Sequence, residues 1–381
     1  MAMTDTLTAT IRTTPLPLLQ ARWQQLRRHL DDLGLRGLIV TEPHNIGYLT
    51  DFSGSTALVV VTGEHVSILT DFRYHQQVAL ESPHCQLVKV GKPGYDPTLV
   101  ELLGEIGSGG RWGFEAGHAT VQRWKRWEDL LSKANLSLVP TSDLVEQQRL
   151  IKDADEVERI RKAADIASRA IEALFPRLVE GTHNGMQENT AAADLEHRMK
   201  LLGARSPSFD TILLTGERTS LPHGRPSQQP LQADQFLTID AGAFLEGYCS
   251  DITRTSVLGK PSAKQQTIWE TVREAQQKAM VAIKPGANCV EIDQIARQHI
   301  ADAGYGDYFG HGLGHGVGRQ VHENPRLSPL GHGELQPGMV VTVEPGIYLP
   351  EFGGVRIEDM CLVTENGYEL LTDAPVQLAY S

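Results

Sequence analysis

Apolar residues first recur at helical spacing: Leu19, Trp23, Leu26, Leu30 and Leu33 stand at steps of four and three, which predicts an amphipathic helix over 18–33 stopped by Gly34. β-Branched runs follow at 38–41, 57–61, 66–69, 87–90 and 137–139, with helical patterns at 97–105 and 121–134. This alternation predicts an α/β N-terminal region with a mixed sheet. Few polar residues converge there, so chemistry is expected elsewhere. Trp124 and Trp127 suit either an interface or the core face of a helix. The chain turns polar and charged over 140–155, and a long helix is expected over 154–175 with Ile160, Ala164, Ala167 and Ile171 on one face. A domain boundary near residue 150 follows.

Past that boundary glycine becomes dense. Gly306, Gly310, Gly312, Gly314, Gly316 and Gly318 alternate with other residues, and an interior glycine costs a helix about 1 kcal/mol relative to alanine, so this run is not helical. A repeat is the most informative feature here. Thr238-Ile239-Asp240-Ala241-Gly242 has the pattern of Thr342-Val343-Glu344-Pro345-Gly346, 104 residues later. A second acid follows each copy, Asp251 and Glu358, at an offset of 107. Upstream, Glu180-Gly181-Thr182 answers Pro285-Gly286-Ala287, each at the expected end of a helix. The offsets predict a duplicated helix and hairpin unit, two halves about a pseudo-two-fold axis, with acids from both meeting at the centre.

The chain has 381 residues, enough for two domains, and its 40% hydrophobic and 22% charged content is that of an ordinary globular protein. No run approaches the ~18 apolar residues of a membrane span. A net charge of -12 without a basic cluster excludes a nucleic-acid partner. Cys85, Cys249, Cys289 and Cys361 are widely spaced, which reads as reduced thiols in a cytoplasmic protein. Residues 1–15 lack the apolar core of a signal peptide and are expected to be a disordered lead.

In the first hairpin, strands over 236–243 and 248–257 with a turn at Leu245-Glu246 would set Asp240 directly opposite Asp251, ~5 Å apart at Cβ. Gly247 offers a turn shifted by one. In the second, centring the loop on Glu351 pairs Glu344 with Glu358. Four like charges in one small volume repel unless cations occupy it. With a histidine from the stretch His311 to His322, the set suits two divalent ions, such as manganese, cobalt, zinc or iron, about 3.5–4 Å apart, and water shared by them becomes hydroxide at neutral pH.

The motifs Asp240-Ala241-Gly242, Asp251-Ile252-Thr253-Arg254-Thr255, His311 to His315, Val343-Glu344-Pro345-Gly346 and Val355-Arg356-Ile357-Glu358-Asp359 resemble those of the metal-dependent pita-bread peptidases, the family of methionine aminopeptidase, prolidase and aminopeptidase P. The resemblance implies that Asp240 chelates one metal, that Asp251 and Glu358 bridge both, and that His315 and Glu344 bind the other. It further implies that Glu344 is the general base and that His223 hydrogen-bonds the substrate near the reacting carbonyl. His311 and His322 would line the pocket, and Tyr348 and Arg356 would orient ligands and substrate. Asn45 to Ser55 resembles the creatinase-like N-terminal domain of Xaa-Pro peptidases, which methionine aminopeptidases lack.

The organisation implied is a creatinase-like domain over 16–148 and a pita-bread catalytic domain over 149–381. Arg326 resembles the arginine with which some prolidases clamp a dipeptide carboxylate, a task that suits a planar guanidinium. The 52–55 segment resembles small bacterial aminopeptidase P proteins, although Asp51 replaces their usual glycine. The expected function is therefore removal of the residue before proline from peptide N-termini, with prolidase as the alternative. A homodimer, two manganese ions and a proline-containing peptide substrate complete the expectation. A metal-free creatinase-like amidinohydrolase and a non-enzymatic peptide-binding module of the same fold are disfavoured by the intact acids.

Overall fold

A six-stranded mixed sheet organises the first of two units, the one ending at Arg149; the second begins at Leu150. This computed structural model describes residues 13–107, 109–133 and 135–380. Along the first unit run α1 (Leu16–Asp32), β1 (Gly37–Val40), α2 (Pro43–Thr50), β2 (Leu58–Thr62), β3 (Val66–Thr70), α3 (His75–Glu81), β4 (Gln86–Lys89), α4 (Tyr95–Ile106), β5 (Arg111–Glu115), α5 (Val121–Ser132), β6 (Ser137–Thr141) and α6 (Glu146–Arg149). Their order in the sheet is β4-β3-β2-β1-β5-β6, with β1 antiparallel to β2 and parallel to β5. Helices cover both faces, so the inner strands are apolar on both sides. Leu38 and Val40 pack with Leu26 and Leu30 of α1, while Ile39 packs with Leu99 of α4 and Trp127 of α5.

The core reading of Trp127 is the correct one. Its ring is fully buried, meets Phe114 edge-on, and donates Nε1–H to Asp96 at 2.8 Å. Periodicity did not reveal β5, because Arg111-Trp112-Gly113-Phe114-Glu115 has no β-branched residue and earns its place by burying two aromatic rings. Of the expected lead, residues 1–12 lie outside the described residues. Thr14 is buried and gives its N–H and hydroxyl to the Asp51 carboxylate, each at 2.6 Å, so the lead does not reach residue 15. Asp51 itself caps α2 in the left-handed region, φ 62°, where glycine is the easy residue.

One buried acid in this unit carries a measurable consequence. Glu115, at the end of β5, accepts the N–H groups of Thr41 and Glu42 on one oxygen and the Asn45 amide on the other. Burial pushes its carboxyl up to about 7, against the pull of those donors. An acid raised in the folded state holds its proton more tightly there than in the unfolded chain. Its stabilising contribution is thus present at low pH and lost as pH climbs from the ordinary carboxylate range through about 7. Between pH 5 and 8, Glu115→Gln is expected to gain on the order of 2 kcal/mol relative to the parent chain. Denaturant midpoints of both proteins measure this, and a pH-independent difference would contradict it.

The second unit runs through α7 (Ala154–Asn184), α8 (Glu188–Leu201), β7 (Ser206–Pro207), β8 (Ile212–Thr215), β9 (Phe236–Ala241), β10 (Ala243–Leu245), β11 (Tyr248–Cys249) and β12 (Ile252–Leu258). It continues with α9 (Ala263–Val281), α10 (Cys289–Asp302), β13 (Gly314–Gly316), β14 (Glu323–Leu327), β15 (Val340–Val343), β16 (Gly346–Leu349), β17 (Gly353–Arg356), β18 (Asp359–Val363), β19 (Tyr368–Leu370) and β20 (Ala379–Tyr380). A helix pair precedes a long hairpin twice, the duplication that defines the pita-bread fold. Capping boxes begin α7, at Asp153 and Glu156, and α9, at Ser262 and Gln265. In the first half Ile171 and Leu195 pack on Leu237 and Ile239 of β9; in the second Val272 and Ile292 pack on Val341 and Val343 of β15. Each sheet thus turns its other face to the acids.

Two local expectations are corrected. Gly181 lies inside α7, which stops at Gly185, so Glu180-Gly181-Thr182 does not mark a helix end. The first hairpin turns at Glu246-Gly247, both at positive φ, and not at Leu245-Glu246. Moving the turn by one residue shifts the register by two, so Asp240 pairs with Thr253 and Asp251 lies diagonally across. A shift of two keeps both acids on one face.

Candidate active site

The acids stand at or beside the ends of four strands. Asp240 is on β9, Asp251 immediately precedes β12, Glu344 follows β15, and Glu358 precedes β18. In the second hairpin the pairs Val343↔Asp359 and Gly346↔Arg356 bracket Glu344 and Glu358, which therefore face each other. Backbone bonds tie these segments together: Glu358 N–H donates to the Thr253 carbonyl at 3.1 Å, and Glu344 N–H donates to the Leu313 carbonyl at 2.8 Å. His315 arrives on β13. A Cβ at the preceding Gly314 would stand 2.0 Å from the Thr342 carbonyl oxygen, so only glycine lets β13 lie this close to β15.

A cavity of about 640 Å³ opens over these residues. It brings together Asp240, Asp251, Glu344, Glu358, His315, His223, His311, His322, Arg326 and Arg356, the predicted set with one exception. That exception is Tyr348, which stands behind the wall: its hydroxyl meets Nη1 of Arg356 and Nε2 of His311, each at 2.9 Å. Its hydroxyl is thus engaged by those two side chains, and it does not line the cavity.

His315 Nε2 lies 3.2 Å from Glu344 and 3.7 Å from Asp251, while its Nδ1 is held by the Gly316 carbonyl at 3.1 Å. That carbonyl fixes the ring so that Nε2 addresses the acids. Arg356 is fully buried and donates to Asp240 at 2.5 Å, to Thr253 Oγ1 at 3.1 Å and to the Pro222 carbonyl at 3.3 Å. Thr253 in turn donates to Glu358 at 2.6 Å, and Thr342 donates to Glu344 at 3.2 Å. Neither threonine was singled out in the sequence. Thr253 could have been, since it stands two residues after Asp251 on the same strand face.

Burial, with Glu358 and Asp240 beside it, pushes the Asp251 carboxyl well above its usual range. Glu358 is pushed well up by burial and by Glu344 and Asp240. Asp240 is raised by burial, with Arg356 opposing. Glu344 goes the other way: burial would raise it, but the hydrogen bond and charge of His315, with His311 and Arg356, hold it down at about 2. His315 is raised, because Glu344 outweighs burial. His311 and His322 are lowered, chiefly by burial.

Asp240 Oδ1 and Glu358 Oε1 are buried with no hydrogen-bond partner among the described residues. Asp251, His315 and Glu358 each present a donor atom within 4.8 Å of the others. Orphaned, mutually repelling carboxylates beside one imidazole fit hard or borderline divalent cations, which would supply the missing positive charge. Asp240 and Glu344 border the same space.

These features define a metallohydrolase, and the chain belongs to metallopeptidase family M24: that family's model matches residues 158–365, and the creatinase/prolidase N-terminal domain model matches residues 22–151. An uncharacterized peptidase of Bacillus subtilis is 41% identical over 93% of this chain and 98% of its own length. The solved Xaa-Pro dipeptidase from Bacillus anthracis superposes with a TM-score of 0.89 at 36% identity, covering 95% of this chain and all (100%) of that one. An X-Pro aminopeptidase from Thermotoga maritima gives 0.86 at 31% identity, with coverage of 94% and 100%.

Proposed function

We propose that this chain is a dinuclear metal-dependent Xaa-Pro peptidase and that its preferred substrates are Xaa-Pro dipeptides. The dipeptide preference departs from the aminopeptidase expected from residues 52–55. The observation that carries it is Arg326: it is exposed, borders the cavity, and pairs across the strands with His315. Residues so paired have Cβ atoms ~5 Å apart, so the guanidinium stands at the acids' rim, where the carboxylate one residue past a scissile bond falls. Likeness to a dipeptidase at 36% identity and to an aminopeptidase at 31% supports the same order.

Asp240, Asp251, His315, Glu344 and Glu358 would hold the two ions, and manganese is the ion we test. Bound there, divalent ions supply Lewis acidity for the carbonyl and a nucleophilic water at neutral pH. Glu344, held as a carboxylate, takes a proton from the attacking water and delivers it to the proline nitrogen as the C–N bond breaks. The proline amide has no N–H, so the nitrogen needs that proton to leave. His223 and His322 face the space above the acids and position the carbonyl and ring of the substrate. Arg356 keeps Asp240 and Thr253 in place. Cysteines that form no disulfide support a cytoplasmic setting, and the family likeness supports a homodimer.

Initial rates on Ala-Pro, Ala-Pro-Ala and Ala-Ala in manganese test this reading. Ala-Pro should be cleaved fastest and Ala-Ala not at all. Arg326→Ala should raise KM for Ala-Pro by roughly 10–100-fold, the worth of a lost charge-assisted pair, with little effect on the tripeptide. Faster cleavage of Ala-Pro-Ala, unaltered by Arg326→Ala, would make the aminopeptidase reading the correct one.

A further inference from the structure

Behind the acids, on the face turned away from the cavity, lies a second set of buried polar side chains. Arg254 follows Thr253 on β12, and Asp359 follows Glu358, so each points opposite to its site-facing neighbour. The Arg254 guanidinium donates Nη1 to both the Thr253 carbonyl, at 3.0 Å, and the Glu358 carbonyl, at 2.5 Å. Its Nη2 pairs with Asp359 at 2.7 Å, and Nε and Nη2 both reach the Ala374 carbonyl. Asp359 also accepts from Thr372 at 2.8 Å and from Nε2 of Gln276, on α9, at 3.0 Å. The same Gln276 nitrogen reaches the carbonyl of Val343, the residue before Glu344, at 3.3 Å.

The network thus holds the Glu358 carbonyl itself, the carbonyl of Val343 beside Glu344, and the carbonyl of Thr253, two residues past Asp251. We propose that Arg254, Asp359 and Gln276 are positioning residues that set the spacing of Asp240 and Asp251, from the first half, against Glu344 and Glu358, from the second. Two halves that carry two acids each must hold a fixed separation if ions are to be shared between them. One rigid guanidinium that grips carbonyls from both halves fixes that separation; a lysine, with no planar fork, cannot grip both while pairing with Asp359. With Asp251 and Glu358 each shared, both ions would draw ligands from both halves, so both would depend on that separation. Outer partners of this kind govern metal affinity by ~10–100-fold.

The inference rests on the dinuclear reading above, and calorimetric titration of chelator-stripped full-length protein with manganese separates the two. The parent chain should take up two ions. Gln276→Met and Arg254→Lys should still take up two ions, bind them at least tenfold more weakly, and recover Ala-Pro hydrolysis when manganese is raised in proportion. A merely structural role would lower the melting temperature of the chelated variants and leave both affinities unchanged, which would overturn the proposal. Should Arg254→Lys fail to fold, Gln276→Met carries the test, since it changes one helix side chain. A parent chain that binds no manganese would sink the dinuclear reading itself, whereas two ions bound alike by parent and variants would sink only this inference.

Discussion

Glu344→Gln is expected to lower kcat on Ala-Pro by roughly 10³-fold, the scale of a lost general base, while the protein remains folded. The side chain is held as a carboxylate at about 2 by His315, 3.2 Å away, and by Arg356 and His311. An amide fills the same space and can still accept from Thr342, which now bonds the carboxylate at 3.2 Å. It cannot take a proton from water or pass one to the proline nitrogen, so the loss should fall on kcat more than on KM. Steady-state kinetics at saturating manganese give the answer, with the melting temperature as the control for folding. A variant with parental kcat would remove Glu344 from the chemistry and leave no other site carboxylate held low.

The second large effect concerns Asp251→Asn. Asp251 and Glu358 face each other across the two halves, joined with His315 in one cluster of donors. A carboxylate there would have an oxygen for each of two ions, whereas an amide would have a single neutral oxygen. Manganese affinity should therefore fall by more than the ~10–100-fold typical of an outer partner, and hydrolysis should vanish at ordinary metal concentrations. The chelated variant should melt no lower than the chelated parent, because the amide removes a buried charge that Glu358 and Asp240 repel. Lower stability of the chelated variant, with intact metal uptake, would mean that Asp251 is a structural acid.

Much of this site was legible because the chemistry fixes residue type at matching places in a duplicated unit. Asp240 and Glu344 stand in five-residue contexts of the same pattern, and their partners follow at almost the same distance. The pairing within the first hairpin was not legible, since Leu245-Glu246-Gly247 does not announce which two residues turn. Glu246 adopts φ 50°, a conformation the sequence gives no reason to expect of glutamate. The strand β5 and the helix α2 escaped for a different reason: both are buried on nearly every side, so neither has a polar face to give it a period. Arg254 and Asp359 sat inside quoted motifs without a role, because a motif does not say which of its residues turn away from the cavity. Arg326 was visible as a type of residue, but its place opposite His315 is a matter of register.

The most direct test of a dinuclear peptidase is to measure manganese content and Ala-Pro hydrolysis in the same samples of chelator-stripped and reloaded protein. Two ions per chain after reloading, with hydrolysis absent before and present after, is the predicted result. Hydrolysis that persists without metal, or a chain that takes up no manganese, would contradict the assignment of Asp240, Asp251, His315, Glu344 and Glu358 as ligands.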